Sequence, residues 1–434
     1  MCLNIFSKTG CILSIFLAAG CDQASTLKPE QQIGANPVLP EPKKFLVPPV
    51  EVPKGMGWPR DLMPVVADDM KIEKIADNLL HPRTVYVLPN NDVLVVEGNS
   101  PGQEKVTAPK QLIAAVIKNR AGKGGQGGNR ISLLRKVGNS WKRFNFLENL
   151  NSPFGVQLIG NFLYVANADY LVRYPYVMGE TSIKEPAQEV SDLPNTINHH
   201  WTKALLASPD GSTLYVGVGS NSNITENGLD VEYRRASILA VDINTGASRI
   251  YASGIRNPTG LAWEPVSGKL WAVANERDEV GNDLVPDYMT SIKPGGFYGW
   301  PWSYFGQHVD KRVKPERPDK VAQALKPDYA LGSHVAPLGI LFSTKNNLPE
   351  KYHGGAFVSE HGSWGRIPIN GYKISFIKFQ NGVPIGQPKT VVSGFVSRDH
   401  KYLYGSPVGL AQDKNGEIIF ADDVGNSVWM ISSK

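Results

Sequence analysis

One short pattern recurs six times along the chain, and few folds accommodate it. A turn containing Gly, Asn or Asp is followed by a short run of β-branched, aromatic and aliphatic residues. The runs are Asn91 to Glu97, Gly160 to Val165, Asp210 to Val216, Gly268 to Val273, Gly354 to Val358 and Asn415 to Phe420. Turn residues beside β-formers signal hairpins. Helical periodicity is nearly absent. An even train of hairpins without helices predicts an all-β, six-bladed β-propeller. The spacing, about 62 residues per unit, exceeds the ~40–50 of a four-stranded blade, so long loops are expected between blades. The candidates are residues 98–129, 221–235 and 306–330. A pair of β-sandwiches is the competing architecture. In a propeller, ligands bind at the mouth of the central channel, where loops from every blade converge.

The cysteines support one uninterrupted body. All three, Cys2, Cys11 and Cys21, lie in the first 21 residues. Disulfides, a Cys-based zinc site, a thiol nucleophile and covalent haem are therefore excluded from the rest of the chain. The leader has Lys8, an apolar stretch from Ile12 to Ala19, and then Gly20-Cys21. A basic start, a short apolar core and small residues before the cut describe a secretory signal. Leu17-Ala18-Ala19-Gly20-Cys21 resembles a bacterial lipobox, in which the cysteine is lipidated and becomes the first residue. Expected boundaries are a signal peptide over 1–20, a lipidated Pro-rich tether over 21–55 and the propeller over 56–434. The tether reading rests on seven prolines between Thr26 and Pro53, which favour an extended spacer lifting the domain off the bilayer. The expected location is the periplasmic side of a bacterial membrane, held by lipid alone; Asp22 favours the inner membrane.

Composition removes other classes. With 45 basic and 40 acidic side chains the formal charge is +5, and 41% of residues are hydrophobic. That is ordinary for a globular protein, not a disordered one. No dense Lys/Arg cluster argues for nucleic acid. No later apolar run reaches the ~20 residues of a membrane-spanning helix.

Five stretches carry candidate chemistry. Asn198-His199-His200-Trp201-Thr202-Lys203 offers histidines, which serve as general bases near neutral pH or as metal or packing groups. Gly254-Ile255-Arg256-Asn257-Pro258 puts an arginine on a fixed turn, suited to an anion or a polarised carbonyl oxygen. Ala274 to Asp283 is an irregular loop rich in oxygen ligands of the kind Ca²⁺ accepts. Gly295 to Pro301 is an aromatic turn. Ser359-Glu360-His361-Gly362-Ser363-Trp364-Gly365-Arg366 again sets His and Arg after a strand unit.

In this order the five stretches resemble the glucose/sorbosone dehydrogenase family, six-bladed propellers that use pyrroloquinoline quinone (PQQ) and Ca²⁺. The resemblance runs from about Leu80 to Ile431 and is closest to the L-sorbosone dehydrogenase-like branch. It is most specific from Arg256 through Pro301 and at Glu360-His361-Gly362-Ser363-Trp364. It implies that His200 is the catalytic base and that Arg256, with Asn257, flanks the reactive carbonyl of the quinone. It implies backbone-carbonyl ligation of Ca²⁺ at Glu276 and Arg277, with Asp278 admitted as a side-chain ligand. Arg83, His361 and Arg366 fall where the family contacts the cofactor.

Several positions depart from the pattern. His199 stands where an aspartate precedes the base in the soluble glucose branch, so no carboxylate partner for the base is evident. Ser406 replaces an arginine expected on a cofactor carboxylate, a bond of a kind that contributes ~1.5–3 kcal/mol. Gly365 replaces a common asparagine and Met430 a common arginine. The activity implied is oxidation of an aldose, a sorbosone-like sugar or an aldehyde, with electrons passing to a separate cytochrome or quinone. Two alternatives remain: a cofactor-less binding propeller, or a Ca²⁺-dependent lactonase with ligands such as Glu97, Asn167, Asn221 and Asp422.

Overall fold

Each recurring unit becomes the turn into, and the body of, the second strand of an antiparallel sheet. The structure is a computed structural model that describes residues 24–43, 51–102, 119–122, 127–196, 198–345, 347–363 and 365–434. Each of the six turns contains a residue in the left-handed region: Asn91 at φ 70°, Gly160 at 56°, Gly211 at 72°, Gly268 at 65°, Gly354 at 60° and Gly416 at 89°. Glycine and asparagine tolerate that conformation, which is why the turns were legible.

Six sheets result. Blade 1 orders Pro82–Val87, Val93–Glu97, Arg130–Val137 and Ser140–Leu147 from the axis outward. Blade 2 uses Gly155–Ile159, Phe162–Ala166, Tyr170–Pro175 and Gln188–Asp192. Blade 3 uses Lys203–Ala207, Thr213–Val218, Ser237–Asp242 and Ser248–Ser253. Blade 4 uses Pro258–Trp263, Leu270–Ala274, Pro286–Ser291 and Tyr329–Ser333. Blade 5 uses Pro337–Phe342, Gly355–Glu360, Lys373–Gln380 and Val383–Ser393. Blade 6 takes three strands from the end of the chain, Pro407–Gln412, Ile418–Asp422 and Ser427–Ser433. Its outer strand, Met70–Ala76, comes from before blade 1 and closes the ring. The first strands touch their neighbours around the whole circle, blade 6 against blade 1 included.

The core lies between blades. Val93 and Val95 pack against Ile419 and Ala421 of blade 6, whereas Leu94 and Val96 pack against Leu163 and Val165 of blade 2. Successive side chains of a strand point to opposite faces, and here both faces are covered, so the strands read as continuous apolar runs. Among the described residues α-helix is limited to Pro29–Gln32, Pro318–Gln323 and the two residues Asn119 and Arg120. None of their helices is long and apolar enough to cross a membrane.

Two expectations change. The long loops lie within blades, not between them. Residues 98–129 and 221–235 join second to third strands, and 306–330 lies in the connection from the third to the fourth strand of blade 4. A second-to-third connection starts and ends at the face where first strands begin.

The expected tether is docked wherever it is described. Ile33–Gly34 pairs with Leu331 and Ala330 as a fifth strand on blade 4, and Lys54–Gly55 runs parallel to Tyr402–Leu403. An open sheet edge offers unpaired N–H and C=O groups, and this segment satisfies them. Residues 1–23, with Cys21 and the leader, lie outside the described residues.

Candidate active site

First strands begin, and second strands end, at one face of the propeller. The residues just before the first strands and just after the second strands therefore converge on one mouth. His200, Arg256, Asn257, Glu276, Arg277, Asp278 and His361 all occupy such positions, and Arg83 is the second residue of the first strand of blade 1.

Asp423, which follows the second strand of blade 6, is the hub of one half. Its side chain has no exposure. It accepts hydrogen bonds from Arg83 Nη1 and from His361 Nε2 at 2.9 and 3.0 Å, with His81 Nε2 at 3.6 Å. Burial pushes the Asp423 carboxyl up, but His361 and Arg83 outweigh it and hold it well below the usual carboxylate range. The Arg83 guanidinium lies 5.8 Å from the centroids of both Phe154 and Trp201. Ser406 is fully buried; its Oγ donates to the His361 carbonyl and its N–H to Asp422 Oδ1 at 2.7 Å. The serine that replaces an arginine is thus built into the wall that carries His361.

His200 faces them across the mouth. Its Nδ1 lies 3.0 Å from both the carbonyl and the Oγ of Ser220. A carbonyl can only accept, so Nδ1 carries a hydrogen, and in the neutral ring the lone pair is on Nε2. Where the sequence showed no partner for the base, Ser220 supplies an orienting backbone carbonyl. His199 stacks edge-on against His200 at 4.6 Å. Gly219 makes room for the pair: a Cβ there would lie 2.4 Å from both Asn257 Oδ1 and His200 Cβ. Lys203 is buried beneath this loop and donates to Trp201 O at 3.1 Å. Burial and the nearby Arg235 lower its pKa to about 7.

The third cluster holds the oxygen-rich loop. Arg256 donates to Glu276 O at 2.7 Å, Asn223 Oδ1 at 2.9 Å and Asn223 O at 3.2 Å, and lies 3.6 Å from Asp278. His334 Nδ1 is 3.2 Å from the same Asp278 carboxylate. Burial raises the Asp278 carboxyl, but His334 and Arg256 outweigh it, so it stays ionised. Asp287 receives the backbone N–H groups of Glu276 and Ala336, both at 2.7 Å, and burial pushes it up to about 7. Arg277 turns wholly inward, donating to the carbonyls of Pro301 at 2.7 Å and Ser303 at 2.6 Å. Its side chain is structural.

Arg366 stands apart from the other cations. Its guanidinium engages Asn282 O, Ser25 Oγ at 2.9 Å and Gln32 Oε1 at 3.3 Å, so it clasps the N-terminal segment. Trp364 lies outside the described residues. Asp423, Asn223, His81, His334, Asp287 and Ser220 escaped the sequence reading. Each is a common residue whose meaning depends on a partner in another blade or loop.

The mouth carries buried polar atoms without a hydrogen-bond partner: Arg83 Nε, Asn167 Oδ1, Thr202 Oγ1, Asn257 Oδ1 and Glu276 Oε1. Such groups are costly unless something satisfies them. Arg83, with its free Nε, Arg256 and the Thr202 hydroxyl fit the anionic groups of a cofactor, and the three oxygens fit its donors or a cation. For a hard cation the chemistry also fits, with the carbonyls of Glu276 and Arg277 beside the Asp278 carboxylate. Arg256 already bonds the Glu276 carbonyl, so a cation there would share that oxygen. No group of three or more His, Cys, Asp or Glu able to hold a metal occurs among the described residues. The lactonase ligands fare worse. Glu97 is held by Arg130 and Ser132, Asn221 donates to Thr196 O, and Asp422 is held by Trp58 and two backbone N–H groups.

The six-bladed propeller has known counterparts. The TrAA12-like family model matches residues 64–293 and 306–434, and the chain belongs to that family. The match leaves the sorbosone branch unspecified. An uncharacterized protein of Borreliella burgdorferi is 29% identical over 301 residues, 67% of this chain and 78% of that one. A pyrroloquinoline quinone-dependent sugar dehydrogenase of Hypocrea jecorina is 22% identical over 333 residues, 65% of this chain and 74% of that one. The calcium structure of Trichoderma reesei family AA12 superposes with TM-score 0.67 at 21% identity, covering 86% of this chain and 97% of that one. The holo form of the pyranose dehydrogenase PQQ domain from Coprinopsis cinerea gives 0.68 at 16% identity, covering 88% and 100%. At these identities the structural likeness speaks for the fold.

Proposed function

We propose that the chain is a PQQ-dependent oxidoreductase that oxidises a sugar, an aldose or sorbosone-like substrate, with Ca²⁺ assisting. The observation that carries the reading is the set of buried, unpartnered polar atoms beside Arg83 and Arg256 at the mouth. Family membership and the PQQ-dependent relatives support it. Arg83, Asn257 and His361 would hold the cofactor. The carbonyls of Glu276 and Arg277, with Asp278, would hold the cation. The chemistry such a quinone supplies when bound is two-electron oxidation of a carbinol to a carbonyl, the electrons then leaving to a cytochrome or membrane quinone.

The chain's own residues do the rest. His200, with Nδ1 bonded to Ser220, presents the Nε2 lone pair and takes the substrate hydroxyl proton. Arg256 is fixed by Asn223 and Glu276 and needs no reorganisation to stabilise negative charge as it develops. A lipid anchor at Cys21 on the periplasmic side completes the reading.

Absorbance titration of the purified chain with PQQ, with and without Ca²⁺, followed by a dye-reduction screen over sugars, tests the proposal. Ca²⁺-dependent binding with sugar turnover supports it. No binding at high micromolar PQQ rejects it in favour of a cofactor-less propeller. His200→Ala should abolish turnover while PQQ affinity stays within a few fold; near wild-type turnover in the variant removes the base assignment.

A further inference from the structure

Two features bring the mouth face to a membrane. The first is where the described chain begins. Ser25 is pinned to the loops of that face: its N–H donates to Ile367 O at 2.7 Å, its Oγ bonds Asp283, and Thr26 N–H donates to Asp283 Oδ2 at 2.8 Å. Asp283 and Ile367 follow the second strands of blades 4 and 5, at the mouth end. Cys21 is four residues earlier, and four residues span at most ~14 Å. The tether therefore has almost no slack between the candidate lipidation point and the mouth face.

The second feature is an apolar stretch on the same face. Met56 is 56% exposed, Leu62 45%, Met63 57% and Val65 59%. The stretch is fixed by Trp58 Nε1 donating to Asp422 Oδ2 at 2.6 Å and by Met56 N–H donating to Leu403 O at 2.9 Å. Its far end pairs Val65 with Ser393, where the outer strand of blade 5 ends at the mouth side. Exposed Lys54 and Arg60 flank the apolar side chains, with one exposed acid, Asp61, among them. Scattered single apolar residues are ordinary on a protein surface; four within ten residues, with cations beside them, suit the headgroup boundary of an anionic bilayer.

We propose that the segment from Met56 to Val65 seats on the bilayer surface and that the channel mouth faces the membrane carrying the anchor. The inference rests on the anchored reading above. Lipid is the occupant because the anchor brings it within a few residues of this face, whereas nothing on the face supplies charge complementarity for a particular protein.

The absence of cysteine from the body makes the test direct. The full chain, processed by a bacterial host, is reconstituted into phosphatidylethanolamine–phosphatidylglycerol vesicles. Met63→Cys and, separately, Met56→Cys carry an environment-sensitive fluorophore. Val266→Cys, 76% exposed in the first turn of blade 4 at the opposite end, is the control. The Met63 and Met56 probes should shift to the blue and be quenched several-fold more by doxyl lipids than the Val266 probe. Equal quenching at both ends, or quenching at Val266 alone, overturns the proposal. Flotation of the wild-type chain but not of Cys21→Ser reports the anchor by itself. A wild-type chain that does not float overturns the anchored reading and this proposal with it. A chain that floats with unquenched Met63 and Met56 probes overturns the orientation alone.

Discussion

Replacing Asp423 with Asn keeps the shape of the side chain and removes its charge. Arg83, whose side chain is 8% exposed, then lacks a counter-charge, and His361 loses one of its two acceptor oxygens. Removing one partner of a buried ion pair costs about 3–5 kcal/mol, because the other charge stays buried and uncompensated. Chemical-denaturant unfolding at pH 7 should show a loss of that size. Asp69→Asn, which breaks an exposed pair with Lys351, should leave the midpoint unchanged. The sign with pH also follows. The folded pKa of Asp423 is depressed, so its contribution is complete above the unfolded value of about 3.9 and is lost as pH falls toward the folded one. The gap between wild type and Asp423→Asn should therefore narrow in acid. A gap below ~1 kcal/mol at pH 7, the range of exposed pairs, or one that widens in acid, refutes the hub role.

Lys203→Met should stabilise the fold most at and below about pH 7. The lysine is neutralised by burial in the fold and protonated when unfolded, so wild type gains stability as pH rises from about 7 toward the unfolded pKa. Parallel melting-temperature curves for the two proteins across pH 6–10 would contradict this. Gly219→Ala forces a Cβ against Asn257 and His200, and overpacking of this kind costs ~1–3 kcal/mol; turnover and PQQ affinity should fall together, and unchanged dye-linked activity rejects the contact. Ser406→Arg should lower the unfolding midpoint without tightening PQQ, because Ser406 is fully enclosed by the His361 and Asp422 loops; tighter binding in a titration rejects that view.

The six-fold repeat was legible because every blade spends a left-handed residue on the turn into its second strand, and all six of those strands are apolar on both faces. Loop placement was not legible. Spacing reports how much chain separates two units but not which strand pair it joins. Docking of the N-terminal segment depends on a two-residue pairing, Ile33 with Leu331 and Gly34 with Ala330, which leaves no periodic trace. His200 and Arg256 sit in dense stretches of polar and aromatic residues and could be singled out. Asp423 sits in Ala421-Asp422-Asp423-Val424, which looks like any acidic turn. Its partner Arg83 is 340 residues away in sequence, and only closure of the ring brings the two together.

That closure dictates a timetable for the molecule. The seam joins Met70–Ala76 to Ser427–Ser433, so the last strand synthesised must find one of the first. No shorter stretch of the nascent chain can complete the circle, and until the final few residues emerge the first strand of blade 1 has no blade 6 to lean on. The Arg83–Asp423 contact forms across the same seam and waits with it. The cluster of Arg83, His361 and Asp423 is thus a product of ring closure, not of any single blade.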